Sequence, residues 1–221
     1  MQSLHTVHRK RILGPVTETV RPNLRERQRA ETHQLIRRTA YELAVERGTS
    51  TVSVQSICAA AGVSTRTFFN HFRSKDEALI PDLPDFAEAA QRAFVDRVRP
   101  DLIAALEELL GGHIARVQAQ AHGGEGPQAM KRLLETNPEL LPRAMAVFEA
   151  LEQRVAALVA RRTGRPAGDL FCTVAALTAT SAMRAAFGTW EDGSAEGGEL
   201  LPAVSAAFAV LRDLLAPQDP T

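Results

Sequence analysis

The chain has 221 residues, 45% of them hydrophobic, which is enough for a sizeable buried core. Its 26 Lys and Arg cancel its 26 Asp and Glu, yet residues 1–80 hold 13 basic against 7 acidic side chains and leave 13 against 19 for the remainder, the asymmetry of a DNA-binding head on a separate acidic body. Two distant cysteines, Cys58 and Cys172, read as small buried hydrophobes, and the longest apolar stretch, Val174 to Phe187, is interrupted by Thr178, Thr180, Ser181 and Arg184; these features argue against a disulfide framework and a membrane span, and favour a cytoplasmic location.

Residues 1–24 carry Arg9, Lys10, Arg11 and Arg21, with Pro15 and Pro22 and no sustained apolar period, which predicts a flexible basic arm. A solvated tail is the preferred reading, and an arm reaching a minor groove the alternative. A first helix is expected from about Arg25 to Arg47, with Ile36, Ala40, Leu43 and Ala44 at helical spacing and Gly48 as its stop.

From Ser53 to Lys75 the residues SVQSICAAAGVSTRTFFNHFRSK read as two short helices joined by a tight turn. Ser53 caps the first, which buries Val54, Ile57 and Ala61 and ends at Gly62, where a left-handed backbone needs no Cβ. Ser64 caps the second, Thr65 to His71, which turns Phe68 and Phe72 inward. Left outward are Thr65, Arg66, Thr67, Phe69, Asn70 and His71, a face with a cation, hydroxyls, an amide, an imidazole and a ring but no carboxylate. Such a face suits base edges and phosphates. Ser74 to Glu77 is a capping box that begins the next helix beside Lys75, and Pro81 and Pro84 then break it.

The run AGVSTRTFFNHFRSKDEAL resembles the DNA-binding signature of the TetR family of bacterial repressors, and the resemblance extends from Ile36 to Leu79. It implies recognition contacts from Thr65, Arg66, Thr67, Phe69, Asn70 and His71, a phosphate contact from Lys75, and further contacts from Ser53 and Gln55 at the start of the preceding helix. Phe69 stands where the family usually has tyrosine, which removes one hydroxyl. The resemblance also implies a homodimer formed through the last two helices, a small-molecule effector, and a linker helix whose movement couples ligand to DNA.

Beyond Pro84 the pattern is helical throughout. A helix is expected from about Pro84 to Val98, then one with Leu102, Leu106, Leu110, Ile114 and Val117 in a stripe, a Gly-rich flexible segment from His122 to Pro127, and a short helix from Gln128 to Thr136. Asn137 and Pro138 open a long helix ending at Gly164. Another follows from about Ala167 to Thr189, rich in small residues, then a polar, Gly-rich loop from Trp190 to Gly198, and a last helix from about Glu199 to Leu215. The stripes of the last two helices place Leu177, Ala179, Val204, Phe208 and Leu211 as the expected dimer interface.

These readings give an all-α protein: a flexible arm at 1–24, a three-helix helix-turn-helix DNA-binding domain at 25–80, and a helical ligand-binding and dimerisation domain at 81–221. Phe94, Met145, Phe148, Met183, Phe187 and Trp190 are the candidate walls of a pocket for a lipophilic or amphipathic effector. His113 and His122 lack acidic or thiol neighbours at ligand spacing, no nucleophile or phosphate motif is present, and no metal, cofactor or enzyme activity is expected. The expected function is a ligand-released repressor on a palindromic operator. The alternatives are an activator or architectural DNA-binding protein without an effector, an enzyme or transporter accessory that kept the fold, and a redox sensor using both cysteines.

Overall fold

Local backbone demands set the element order in the computed structural model, which describes residues 24–96, 101–120, 127–189 and 200–216. The head comprises α1 (Leu24–Arg47), α2 (Val54–Ala61), α3 (Thr65–Phe69) and α4 (Lys75–Leu79). Each of the last three begins at a serine whose hydroxyl accepts a backbone N–H: Ser53 from Ser56, Ser64 from Thr67 and Ser74 from Glu77, at 3.0–3.1 Å. Gly62 closes α2 at φ 65°, and Val63 returns its N–H to the Cys58 carbonyl at 3.0 Å. Helix α3 stops two residues short of the expected His71, with Asn70 as its C-cap.

The body comprises α5 (Glu88–Asp96), α6 (Leu102–Gln120), α7 (Pro127–Thr136), a 3-10 turn (Pro138–Leu140), α8 (Leu141–Thr163), α9 (Leu170–Thr189) and α10 (Leu200–Leu215). Helix α5 starts at Glu88 rather than Pro84. The two prolines hold residues 80–87 outside any helix. Helix α9 packs between α8 and α10, and α10 also lies on α6. No strand occurs among the described residues. The arm, Trp190 and both Gly-rich segments fall outside those residues, apart from Leu24 and the Pro127 that opens α7.

Two apolar clusters form the interior. One joins α5, α6, α9, α10 and the later part of α8, through residues such as Phe94, Leu110, Leu151, Val155, Met183 and Phe208. The other holds the head residues Ile36, Ile57, Phe68, Phe72 and Leu79, and it also takes in Leu133, Leu140, Ala144 and Val147 from α7, the 3-10 turn and the start of α8. Helix α8 therefore belongs to both cores, and the head's core extends past residue 80. Cys58 lies in the head cluster and Cys172 in the body cluster, both buried, and burial raises the Cys58 thiol above its ordinary pKa.

A buried polar knot reinforces this junction. Asn137 accepts at Oδ1 from the Thr49 N–H at 3.0 Å and from the Thr49 hydroxyl at 2.9 Å, while its own amide donates to the Leu133 carbonyl at 2.9 Å. The Thr49 hydroxyl also lies against Glu139, whose carboxyl is held below its ordinary pKa chiefly by that contact. Replacing Asn137 by Ala strands the buried Thr49 N–H, so a loss of about 1–3 kcal/mol is expected in urea unfolding. An unchanged midpoint would show that the knot contributes nothing to joining head and body.

Candidate nucleic-acid interface and ligand cavity

The exposed face of the head is built from the short α3 and the start of α2. Thr65, Arg66 and Asn70 are exposed, as is Gln55, the second residue of α2, and Phe69 keeps 57% of its surface open although it is a large ring. An apolar ring this open on a folded surface is suited to apolar contact with a partner, such as a thymine methyl group. Phe68 and Phe72 point inward as expected, with their ring centroids 5.7 Å apart.

Four of the expected contacts are occupied locally. The Ser53 hydroxyl caps α2 while its N–H donates to Ser56 Oγ at 2.9 Å, and the Thr67 hydroxyl meets Ser64 Oγ at 2.8 Å. His71 packs on His33 and Phe72, with ring centroids 5.9 and 6.3 Å away; burial and the nearby Arg29 push its pKa down. The Lys75 ammonium donates to the carbonyls of Thr49 at 2.7 Å and Val52 at 3.1 Å. That lysine secures the loop between α1 and α2, a long-range use that no local motif announces.

The segment between head and body is held by arginines. Arg143 donates to the Ile80 carbonyl and to Asp82, both at 2.9 Å; Arg154 donates to the carbonyls of Leu83 and Pro84 and to Asp85 at 3.0–3.1 Å; Arg116 donates to the Asp85 carbonyl. Gln91 takes the Phe86 carbonyl at 2.9 Å.

A cavity of about 190 Å³ lies against this segment. Its wall combines the head and linker residues Arg37, Ile80 and Pro81 with side chains from α6 to α10, so it spans the junction rather than sitting wholly inside the body. Three expected residues, Phe148, Met183 and Phe187, do line it. Phe94 does not: it is buried in the body core with the Arg162 guanidinium over its ring at 5.0 Å. Met145 is 50% exposed and lies off the wall, and Trp190 is outside the described residues.

His113, read from sequence only as a poor metal ligand, lies on the cavity wall with its ring 4.6 Å from that of Phe86. It is 4% exposed, and neither ring nitrogen has a hydrogen-bond partner among the described residues. No group of three or more metal-ligating side chains occurs among the described residues.

The expected interface residues Ala179, Val204 and Phe208 are buried inside the protomer, so the stripe they define serves its own core. Small residues such as Ala176 and Ala179 let α9 fit between α8 and α10. The apolar positions left outward are others: Leu170, Val174 and Leu177 on α9, at intervals of four and three, and Val210 and Leu214 on α10. Of the expected set, Leu177 is exposed and Leu211 half-buried. By length and composition α9 would suffice to cross a bilayer, a property that follows from having one face in the core and a second apolar face outside.

Residues 36–80 match the family described as bacterial regulatory proteins, tetR family, and residues 101–216 match the MftR C-terminal domain. The HTH-type transcriptional regulator TcmR of Streptomyces glaucescens is 32% identical over 156 residues, covering 68% of each chain. MftR of Mycobacterium tuberculosis, named for mycofactocin biosynthesis, is 27% identical over 187 residues, covering 84% of this chain and 91% of its own. A crystal structure of a TetR-family regulator from Mesorhizobium loti superposes with a TM-score of 0.50 at 17% identity, over 85% of this chain and 98% of the other, which speaks to the fold.

The histidines give the stability a pH dependence. Burial, then the charges of Arg116 and Arg154, lowers His113 to about 4 against an opposing effect of Asp85; burial, then Arg37, lowers His33 to about 4. Unfolded histidine takes up its proton first, near pH 6.5. The contribution of the neutral rings is therefore complete above about pH 6.5 and lost as the pH falls toward about 4. For the enclosed His113 it amounts to something on the order of 3 kcal/mol at the acid end. Urea midpoints of the wild type should fall through that window, and those of His113→Leu should fall less; parallel curves for the two proteins would remove His113 as the source.

Proposed function

The chain belongs to the TetR family of bacterial regulatory proteins, and on that premise we propose that it is a cytoplasmic repressor that binds a palindromic operator as a homodimer and leaves it when a small, mainly apolar effector fills the junction cavity. The observation that carries this reading is the position of the cavity. One wall belongs to α1 and the linker, the other to the helices of the body, so an occupant would touch the DNA-binding head and the body at once.

Operator reading is assigned to Thr65, Arg66, Phe69 and Asn70, with Gln55 beside them, the side chains left open on the head. Lys75 is assigned a supporting role through the Thr49 and Val52 carbonyls. Dimerisation is assigned to the outward stripes of α9 and α10. Two recognition helices entering successive major grooves must lie about 34 Å apart, so a small rotation of each head about its arginine-held linker is enough to spoil the fit. An effector preferring the released form by roughly 100-fold supplies about 2.7 kcal/mol of coupling, and DNA must weaken effector binding by the same factor.

Two measurements test the assignments. On a duplex selected by the protein from a random pool, Arg66→Ala should lose roughly 1–3 kcal/mol of affinity while losing little on scrambled DNA. Equal losses on both in mobility-shift titrations would reduce Arg66 to a phosphate anchor. Val174→Glu combined with Leu214→Glu should convert the dimer to a monomer in light scattering, because unpaired carboxylates would be buried in an apolar contact. A dimer surviving both changes at low micromolar concentration would put the interface elsewhere.

A further inference from the structure

Most of the cavity wall is aliphatic or aromatic; its polar side chains are Arg37, Gln118 and His113. Arg37 has interactions of its own, and Gln118 is half-buried near the end of α6. His113 differs from both. Its ring is 4% exposed, sits at the register of the α6 core stripe seven residues after Leu106, and has two nitrogens that nothing among the described residues satisfies. A buried polar group left this way costs roughly 1–3 kcal/mol, and leucine at the same register would avoid the cost. The stability of the empty protein gives no reason for histidine here.

We propose that His113 is the polar anchor of the cavity, which takes an apolar molecule carrying one uncharged hydroxyl or carbonyl oxygen that hydrogen-bonds to the imidazole. This rests on the effector reading above for its biological meaning and on the cavity geometry for its chemistry. A neutral imidazole presents one N–H and one lone pair, so a hydroxyl, which both gives and accepts, pairs with whichever nitrogen it meets, and a carbonyl pairs with the N–H. The preference for an uncharged oxygen follows from the surroundings. The charged groups acting on the ring are Arg116, Arg154 and Asp85, and both arginines are committed to the linker: Arg154 to the Leu83 and Pro84 carbonyls and the Asp85 carboxylate, Arg116 to the Asp85 carbonyl. A carboxylate placed beside His113 would give up its hydration, while the arginines acting on the ring already spend donors on linker acceptors. The rest of the molecule meets Ile114, Val117, Phe148, Met183 and Phe187, a wall that rewards hydrocarbon.

The volume, about 190 Å³, is somewhat larger than the roughly 150 Å³ void known to hold benzene. Substituted single-ring probes are therefore of suitable size, and three of them differ only at the group that would face the imidazole: p-cresol, p-xylene and 4-methylbenzoate. By calorimetric titration the wild-type protein should bind p-cresol roughly 3- to 10-fold more tightly than p-xylene, the worth of one net hydrogen bond, and 4-methylbenzoate most weakly. His113→Leu should reverse the order of p-cresol and p-xylene and raise the melting temperature of the unliganded protein. His113→Gln, which keeps a donor and an acceptor, should retain the preference for p-cresol and serves as the second variant if the leucine protein does not fold. No preference for p-cresol in the wild type, no p-cresol binding up to millimolar concentration, or a preference that persists in His113→Leu would each overturn the proposal. Operator release is measured separately in the same titrations. If p-cresol binds through His113 while operator affinity stays unchanged, the anchor stands and the effector reading falls.

Discussion

The linker between Leu79 and Glu88 is the constraint on which the rest depends. Pro81 and Pro84 deny it helical hydrogen bonds, so its carbonyls need donors from elsewhere, and Arg143, Arg154 and Arg116 provide them from α8 and α6. Arginine is suited to this because its planar fork holds several acceptors at once from a fixed direction. The result is a non-helical segment with a defined path. That path seats Ile80, Pro81 and Leu83 against the cavity, places Phe86 on His113, and sets where α4 leaves the head. One wall of the cavity is therefore backbone held by a few charged side chains, and the other is formed by packed helices.

Helix α8 carries the same relation through apolar packing. Ala144 and Val147 near its start lie in the head's cluster, and Leu151, Val155 and Leu158 further along lie in the body's. Interiors packed at crystal-like density transmit displacements rather than absorb them, so one helix shared by two cores links their positions. The Thr49–Asn137 knot and the Lys75 hold on Thr49 add directional contacts near the same place. Apolar packing resists separation, whereas these hydrogen bonds resist rotation.

What was legible in the sequence were the features that local chemistry decides. Ser53, Ser64 and Ser74 mark helix starts, and Gly62 and Gly164, at φ 65° and 67°, mark ends where a side chain would be strained. The outward face of α3 was legible too, with Thr65, Arg66, Phe69 and Asn70 exposed and Phe68 buried, because the absence of carboxylates between Ser64 and Arg73 is a property of adjacent residues. What covers an apolar face was not. In α10 the stripe containing Val204 and Phe208 and the one containing Val210 and Leu214 are both apolar, and periodicity does not say which one meets the chain's own core. The hold of Lys75 on the loop between α1 and α2 was not legible for a related reason, since its carbonyl partners lie 23 and 26 residues back along the chain. His113 did carry a signal, a polar residue in a leucine register, but arguments about metal-ligand spacing do not detect it.

The sharing of the head's core has a consequence for modularity. Leu133 and Leu140, both buried, and Ala144 and Val147 close the same cluster as Phe68, Phe72 and Leu79. A chimera joining this reading head to a relative's body at residue 80 would leave that cluster open on one side, whatever the quality of the splice in the linker. The smallest transplantable unit is discontinuous: residues from α1 to Ile80 together with the segment around 130–147. Exchange of heads between relatives is thus tied to a part of the body, and substitutions there become a means of adjusting how the head is presented.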